Sequence, residues 1–153
     1  MRVLIGISAW KKIKRQATLS FPNECVGFYI GFVDYDLQRI YISKVYPCKN
    51  ISEDRTVGSM VSPREINKVI RECKKANKII SSFFVGQYHS HPTTGGVAQS
   101  ELDKKTGKKW KEYGHQLILG IKSKSEMSIR KRFYFYDKKS GSWKEEKIIV
   151  LKS

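Results

Sequence analysis

The sequence predicts an α+β fold, a mixed β-sheet flanked by helices in one domain spanning 1–153. Two observations carry the prediction. Hydrophobic residues make up 40% of the chain and recur in periodic blocks, which excludes a disordered chain. Segments at helical spacing also alternate with short runs rich in Val, Ile, Tyr and Phe, and no repeat or linker interrupts the succession.

Trp10, Ile13 and Ala17 fall at helical spacing among Lys11, Lys12, Lys14 and Arg15, so the first element is an amphipathic helix that stops before Pro22. Residues 25–32 form a nearly continuous apolar and aromatic run, and in 39–45 Ile and Tyr intersperse with polar residues. With a turn at 34–36 the two predict a hairpin. Residues 50–60 are polar, contain Gly58, and are the candidate mobile or substrate-contacting loop. Ser62, Pro63 and Glu65 supply an N-cap, a first-turn proline and a capping-box partner. They stand ahead of Ile66, Val69, Ile70, Cys73 and Ala76, and so predict the best-marked helix of the chain. A short buried strand follows at 83–88, then a Thr- and Gly-rich loop at 92–99 and a short helix capped by Ser100. Strands are predicted at 116–121 and 128–136, the second pairing with 143–151 across a Lys-Lys-Ser-Gly turn.

Thirty Lys plus Arg against 14 Asp plus Glu give a net charge of +16, a field that attracts acidic partners or nucleic acid without specifying which. Cys25, Cys48 and Cys73 are odd in number and lack CxxC spacing, as expected of idle thiols in a reducing compartment. Residues 3–10 are apolar and only then does the chain turn basic, the reverse of a secretory signal, and no run reaches membrane-spanning length. The expected location is cytoplasmic, with no membrane partner.

His89 and His91 stand one residue apart at the end of a predicted strand. Strand side chains alternate faces, so both imidazoles project to one side. Pro92, Gly95 and Gly96 then turn the chain, so that Ser100 to Asp103 can return and bring a carboxylate to the same ion. Two imidazoles, one carboxylate and an open fourth position are the make-up of a catalytic zinc site. Each part has a simpler explanation alone: a bare His-x-His is commonly a surface or structural pair, and Ser100 with Asp103 is a helix cap with a first-turn acid. The metal reading rests on their occurring together.

The run His89-Ser90-His91-Pro92, followed by Ser100 and Asp103 in Ser-x-x-Asp spacing and preceded by Asn23-Glu24-Cys25-Val26-Gly27, resembles the signature of the JAMM (MPN-domain) zinc metalloproteases. The order of elements matches that family to about Ile121. The resemblance implies a cytidine-deaminase-like architecture with one zinc per chain on His89, His91 and Asp103. It also implies Glu24 as general base for the attacking water, and Ser100 as support for the tetrahedral intermediate. The implied activity is a deubiquitinase-like hydrolysis of peptide or isopeptide bonds after the C-terminal tail of ubiquitin-like or sulfur-carrier proteins. A narrow cleft would admit an extended Gly-Gly tail, with loop 50–60 as a clamp.

The segment between His91 and Ser100 is one residue longer than the family's usual spacing. The extra residue falls where Gly95 and Gly96 give the backbone most freedom, and a longer bulge with the ligand geometry kept is expected. A shifted register would offer Glu101 as the alternative carboxylate, and His115 is the remaining histidine. Two competing functions stay open. One is a non-catalytic scaffold of the same fold. The other is a nucleic-acid-associated protein using the basic clusters 11–15, 74–78, 104–109 and 130–132 with Trp110, Tyr113, Phe133 and Tyr134 as stacking surfaces.

Overall fold

In a computed structural model that describes residues 2–109 and 115–152, eight strands form one mixed sheet with three α-helices packed on it. They run β1 (Arg2–Gly6), α1 (Ile7–Ser20), β2 (Val26–Asp34), β3 (Arg39–Cys48), α2 (Pro63–Asn77), β4 (Phe83–His91), α3 (Glu101–Lys109), β5 (His115–Gly120), β6 (Arg130–Asp137), β7 (Ser142–Glu146) and β8 (Ile148–Leu151). The strand order is β7-β6-β5-β4-β2-β3-β1-β8. The pairs β1/β3, β1/β8 and β4/β5 are parallel, and the other neighbours are antiparallel. Among the described residues no helix is long and apolar enough to cross a membrane.

Helix α1 buries Trp10, Ile13 and Ala17 against one sheet face, in a core with Val3, Ile5, Tyr29, Tyr88 and Leu117. Helix α2 covers the other face, packing Val69 and Cys73 on Phe28, Ile30 and Val85. Its start follows the predicted cap, with the Ser62 side chain accepting from the Glu65 N–H at 3.4 Å. The Glu65 carboxylate goes elsewhere: it accepts from the Lys49 N–H at 3.3 Å and so ties the helix to the end of β3.

Two elements differ from expectation. The apolar start of the chain contains a strand, β1, inserted parallel between β3 and β8. The run 143–151 is also not one strand. Its first half, β7, pairs with β6, while β8 lies at the far end of the strand order beside β1. Only Lys147 separates Glu146 from Ile148, so the sheet must curl until its two edges meet.

Candidate metal centre

The site grows from the register of β2, β4 and β5. Val26 pairs with His89, and His89 and His91 pair with Ile118 and Gly120, so the alternation of β4 puts both histidines on the α2 side of the sheet. Ser90, between them, points to the other side, fully buried. Its hydroxyl accepts from the Cys25 N–H at 2.8 Å and its own N–H donates to the Cys25 carbonyl at 3.1 Å. The residue after Glu24 is thereby fastened to the middle of the His-x-His. Glu24 itself is held by its N–H on the Arg55 carbonyl, 2.6 Å, and by the Asn50 side-chain amide on its own carbonyl, 3.0 Å.

Asp103 reaches the histidines from the first turn of α3. The Ser100 hydroxyl accepts from the Asp103 N–H at 3.0 Å, and Asp103 Oδ2 accepts from the Ser100 N–H at 2.9 Å, a reciprocal capping box. The same carboxylate faces both imidazoles, with Oδ1 3.1 Å from His89 Nε2 and Oδ2 3.1 Å from His91 Nε2. The two Nε2 atoms are themselves 3.1 Å apart.

That triangle fits a metal better than it fits hydrogen bonding alone. If both imidazoles donate to Asp103, nothing accounts for the close approach of the two nitrogens. Ligand atoms bound at about 2.0–2.1 Å in tetrahedral geometry lie roughly 3.3 Å apart, close to the separation of the two nitrogens and of each nitrogen from one carboxylate oxygen. His89, His91 and Asp103 are accordingly a group that can hold a metal ion. His91 also hydrogen-bonds the Gly96 carbonyl, the kind of outer partner that fixes an imidazole's orientation toward a metal.

The electrostatics are set by burial and by these partners. Burial alone would raise the Asp103 carboxyl, but hydrogen bonds from His89 and His91, their charge and the Ser100 N–H hold it well below the usual carboxylate range. Burial would lower His91, yet Asp103 and then Glu24 hold it above its ordinary value. Glu24, 8% exposed, is pushed up by burial; the nearby histidines pull it down and the Asp103 charge pushes it up.

The other sequence candidates separate clearly. Ser100 lies at the site, where its oxygen serves the cap while its O–H proton stays free to donate. Glu101 points to solvent beside Lys104, 3.6 Å away, and is no ligand. His115 projects to the opposite sheet face, its ring 4.5 Å from that of Phe84, and cannot reach the histidine pair. Phe133 and Tyr134 are buried in the sheet and offer no stacking face; Trp110 and Tyr113 lie outside the described residues. All three cysteines are buried.

Three polar residues not singled out in the sequence organise the surroundings: Ser90, Asn50 and Gln116. The Asn50 side chain donates to the Glu24 and Gly58 carbonyls and accepts from Ser52 and Met60, knitting loop 50–60. Thr93 holds that loop from across the cleft through the Thr56 carbonyl, 2.9 Å. Gln116, fully buried, donates to the Asp103 carbonyl and accepts from Gln99, both at 2.8 Å. The longer loop after His91 is anchored in turn. Gly95 adopts φ +66°, and its carbonyl accepts from Arg130 at 2.8 Å, while the Val97 carbonyl accepts from Tyr134 at 2.7 Å. Bare Gly120 lets this backbone lie directly against β5. The whole arrangement opens on a cavity of about 780 Å³ bordered by Glu24, the ligand triad, loop 50–60 and α3, roomier than the expected narrow cleft.

A curled mixed sheet with a His-x-His at a strand end and an aspartate on a capped helix defines a domain of the JAB/MPN class. Residues 7–133 match the family described as prokaryotic homologues of the JAB domain, and the chain belongs to that family. Similar solved structures include a protein of Desulfitobacterium hafniense, 21% identical with a TM-score of 0.72 over 99% of this chain and 94% of that one. A protein of Salinibacter ruber is 16% identical with a TM-score of 0.56 over 99% and 92%. A JAB1/MPN domain protein of Archaeoglobus fulgidus is 16% identical with a TM-score of 0.52 over 99% and 100%. No curated protein matches the chain.

Proposed function

We propose that the chain is a zinc-dependent peptidase or isopeptidase of the cytoplasm that cleaves after the C-terminal tail of a ubiquitin-like or sulfur-carrier protein. The observation that carries this reading is that the His89, His91 and Asp103 triangle and the Glu24 carboxylate border one open cavity. Zinc on the triad would supply Lewis acidity toward the scissile carbonyl and acidify water to a pKa of about 7.

The protein's own groups carry the remaining work. Glu24 takes a proton from the attacking water as its oxygen bonds to the carbonyl carbon. As the C–N bond breaks, Glu24 returns that proton to the leaving nitrogen. Burial raises the affinity of Glu24 for protons, the direction that suits a base that must hold one between the two steps. The free O–H of Ser100 donates to the carbonyl oxygen as charge develops there. His89 and His91 are fixed by β4, and Asp103 by its cap, so little has to reorganise during the reaction.

Metal analysis of purified protein, paired with Glu24→Gln, tests the proposal. The wild type should carry near one zinc per chain and hydrolyse a ubiquitin-like fusion; Glu24→Gln should keep the zinc and lose the hydrolysis. A wild type that binds zinc yet cleaves no fusion is the scaffold outcome and overturns the peptidase reading.

A further inference from the structure

The chain carries 30 Lys and Arg, yet among the described residues none borders the cavity beside the metal ligands. The ionisable groups there are Glu24, His89, His91 and Asp103, all at the metal end. Away from that end no side chain is charged: Thr, Ser and Gln side chains line the cavity together with apolar ones, and the apolar ones hold the floor and part of the mouth. The floor is buried Val26 and Phe28 with partly buried Ile66 from α2. At the mouth, Val57 and Met60 of loop 50–60 are each 59% exposed, and Leu102 of α3 is 66% exposed. These are among the largest apolar exposures of a strongly charged chain, and they stand on two elements that border one opening. Exposed apolar groups grouped around an apolar hollow mark a place where something apolar is bound.

We infer that this site takes a substrate with a bulky, uncharged apolar side chain on a residue flanking the bond to be cleaved. The inference rests on the peptidase reading for the word substrate and on the cavity alone for the side chain. A bare Gly-Gly segment would leave Val57, Met60 and Leu102 exposed at the mouth, whereas a Leu or Phe side chain seated over the floor removes those rim groups and itself from water. An acidic side chain is disfavoured away from the metal end, because no Lys or Arg among the described residues borders the hollow and a carboxylate there would lose water without a partner. The large positive charge therefore acts elsewhere on the surface, toward the body of an acidic partner, and does not select the residue that enters.

The test uses short N-acetylated, C-amidated peptides and Glu24→Gln protein, so that nothing is consumed, with binding followed by NMR of the Val26 and Ile66 methyl groups with and without zinc. A peptide with Leu or Phe beside Gly should shift those methyls and bind at least about tenfold tighter than the all-Gly peptide. Glu in place of Leu should erase that gain, and Met60→Asp, at an exposed rim position, should reduce it several-fold. Equal affinities for Gly, Leu and Glu peptides, or shifts confined to another surface, overturn the inference. Failure of the peptidase reading is read separately, as absent zinc or absent hydrolysis in the wild type, and neither removes the methyl shifts.

Discussion

Acid should weaken this fold through one histidine that takes no part in the metal site. His115 opens β5 with its ring centroid 4.5 Å from Phe84 and 5.8 Å from Phe133, and its Nδ1 is buried with no hydrogen-bond partner among the described residues. Protonation would place a charge among aromatic rings, so burial pushes its pKa down from 6.5 to about 4. In the unfolded chain the imidazole titrates near 6.5. Between the two values the unfolded chain holds a proton that the folded chain refuses, and stability therefore rises with pH across this window. The contribution is complete above the unfolded value and is lost as pH falls from about 6.5 through about 4. The gap, 6.5 minus about 4, corresponds to about 3 kcal/mol at 1.36 kcal/mol per unit. Urea unfolding of the wild type and of His115→Leu at pH 7 and pH 4, with chelator present, isolates the effect, because titration of the metal ligands is common to both proteins. The variant should gain about 3 kcal/mol relative to the wild type on going to pH 4. A difference that stays constant between the two pH values, or a His115 titration near 6.5 in the folded protein, would refute the reasoning.

Gln116→Leu removes the amide that joins the Asp103 carbonyl to Gln99, and zinc affinity in a chelator competition should fall about 10- to 100-fold. An unchanged affinity would mean that α3 holds Asp103 without help. Gly86→Ala would drive a methyl group into the ring of fully buried Tyr29, and the unfolding free energy should drop by at least about 1–3 kcal/mol, read as a lower urea midpoint. An unshifted midpoint would show that Tyr29 has room to move. Added salt should lower kcat/KM more than kcat on an acidic ubiquitin-like fusion, because a net charge of +16 acts on encounter. A kcat/KM indifferent to salt would remove the charge from the mechanism.

What could be read from the sequence was what local chemistry determines. Ser62 and Pro63 mark the start of α2 because a cap and a fixed φ act on neighbouring residues. His89 and His91 share a face because alternation along one strand needs no knowledge of its partners. Strand β1 escaped because three buried residues, Val3 to Ile5, carry too short a pattern, and their partners lie at 40–42 and 148–150. The break at Lys147 escaped for a related reason: alternation says which side of a strand is buried, never which edge of the sheet it joins. Ser90, Asn50 and Gln116 are ordinary polar residues until burial is known. Gln116 alone left a trace, as the one amide in the otherwise apolar run 116–121.

The capping and metal readings of Ser100 and Asp103 are not alternatives, and that bears on the longer loop. Asp103 Oδ2 accepts from the Ser100 N–H while the same carboxylate meets both imidazoles, so the start of α3 and the third ligand are one structure. The position of Asp103 follows from where the helix is docked, through Gln116, and not from the path by which the chain arrives. One more residue in the approach is taken up where Gly95 turns at positive φ and where Arg130 and Tyr134 hold the carbonyls of Gly95 and Val97. Loop closure entropy grows only slowly with length, so an insertion between two fixed ends costs little. The Ser-x-x-Asp spacing cannot be relaxed in the same way, because a residue added there would break the reciprocal cap and rotate the carboxylate about the helix axis by about 100°.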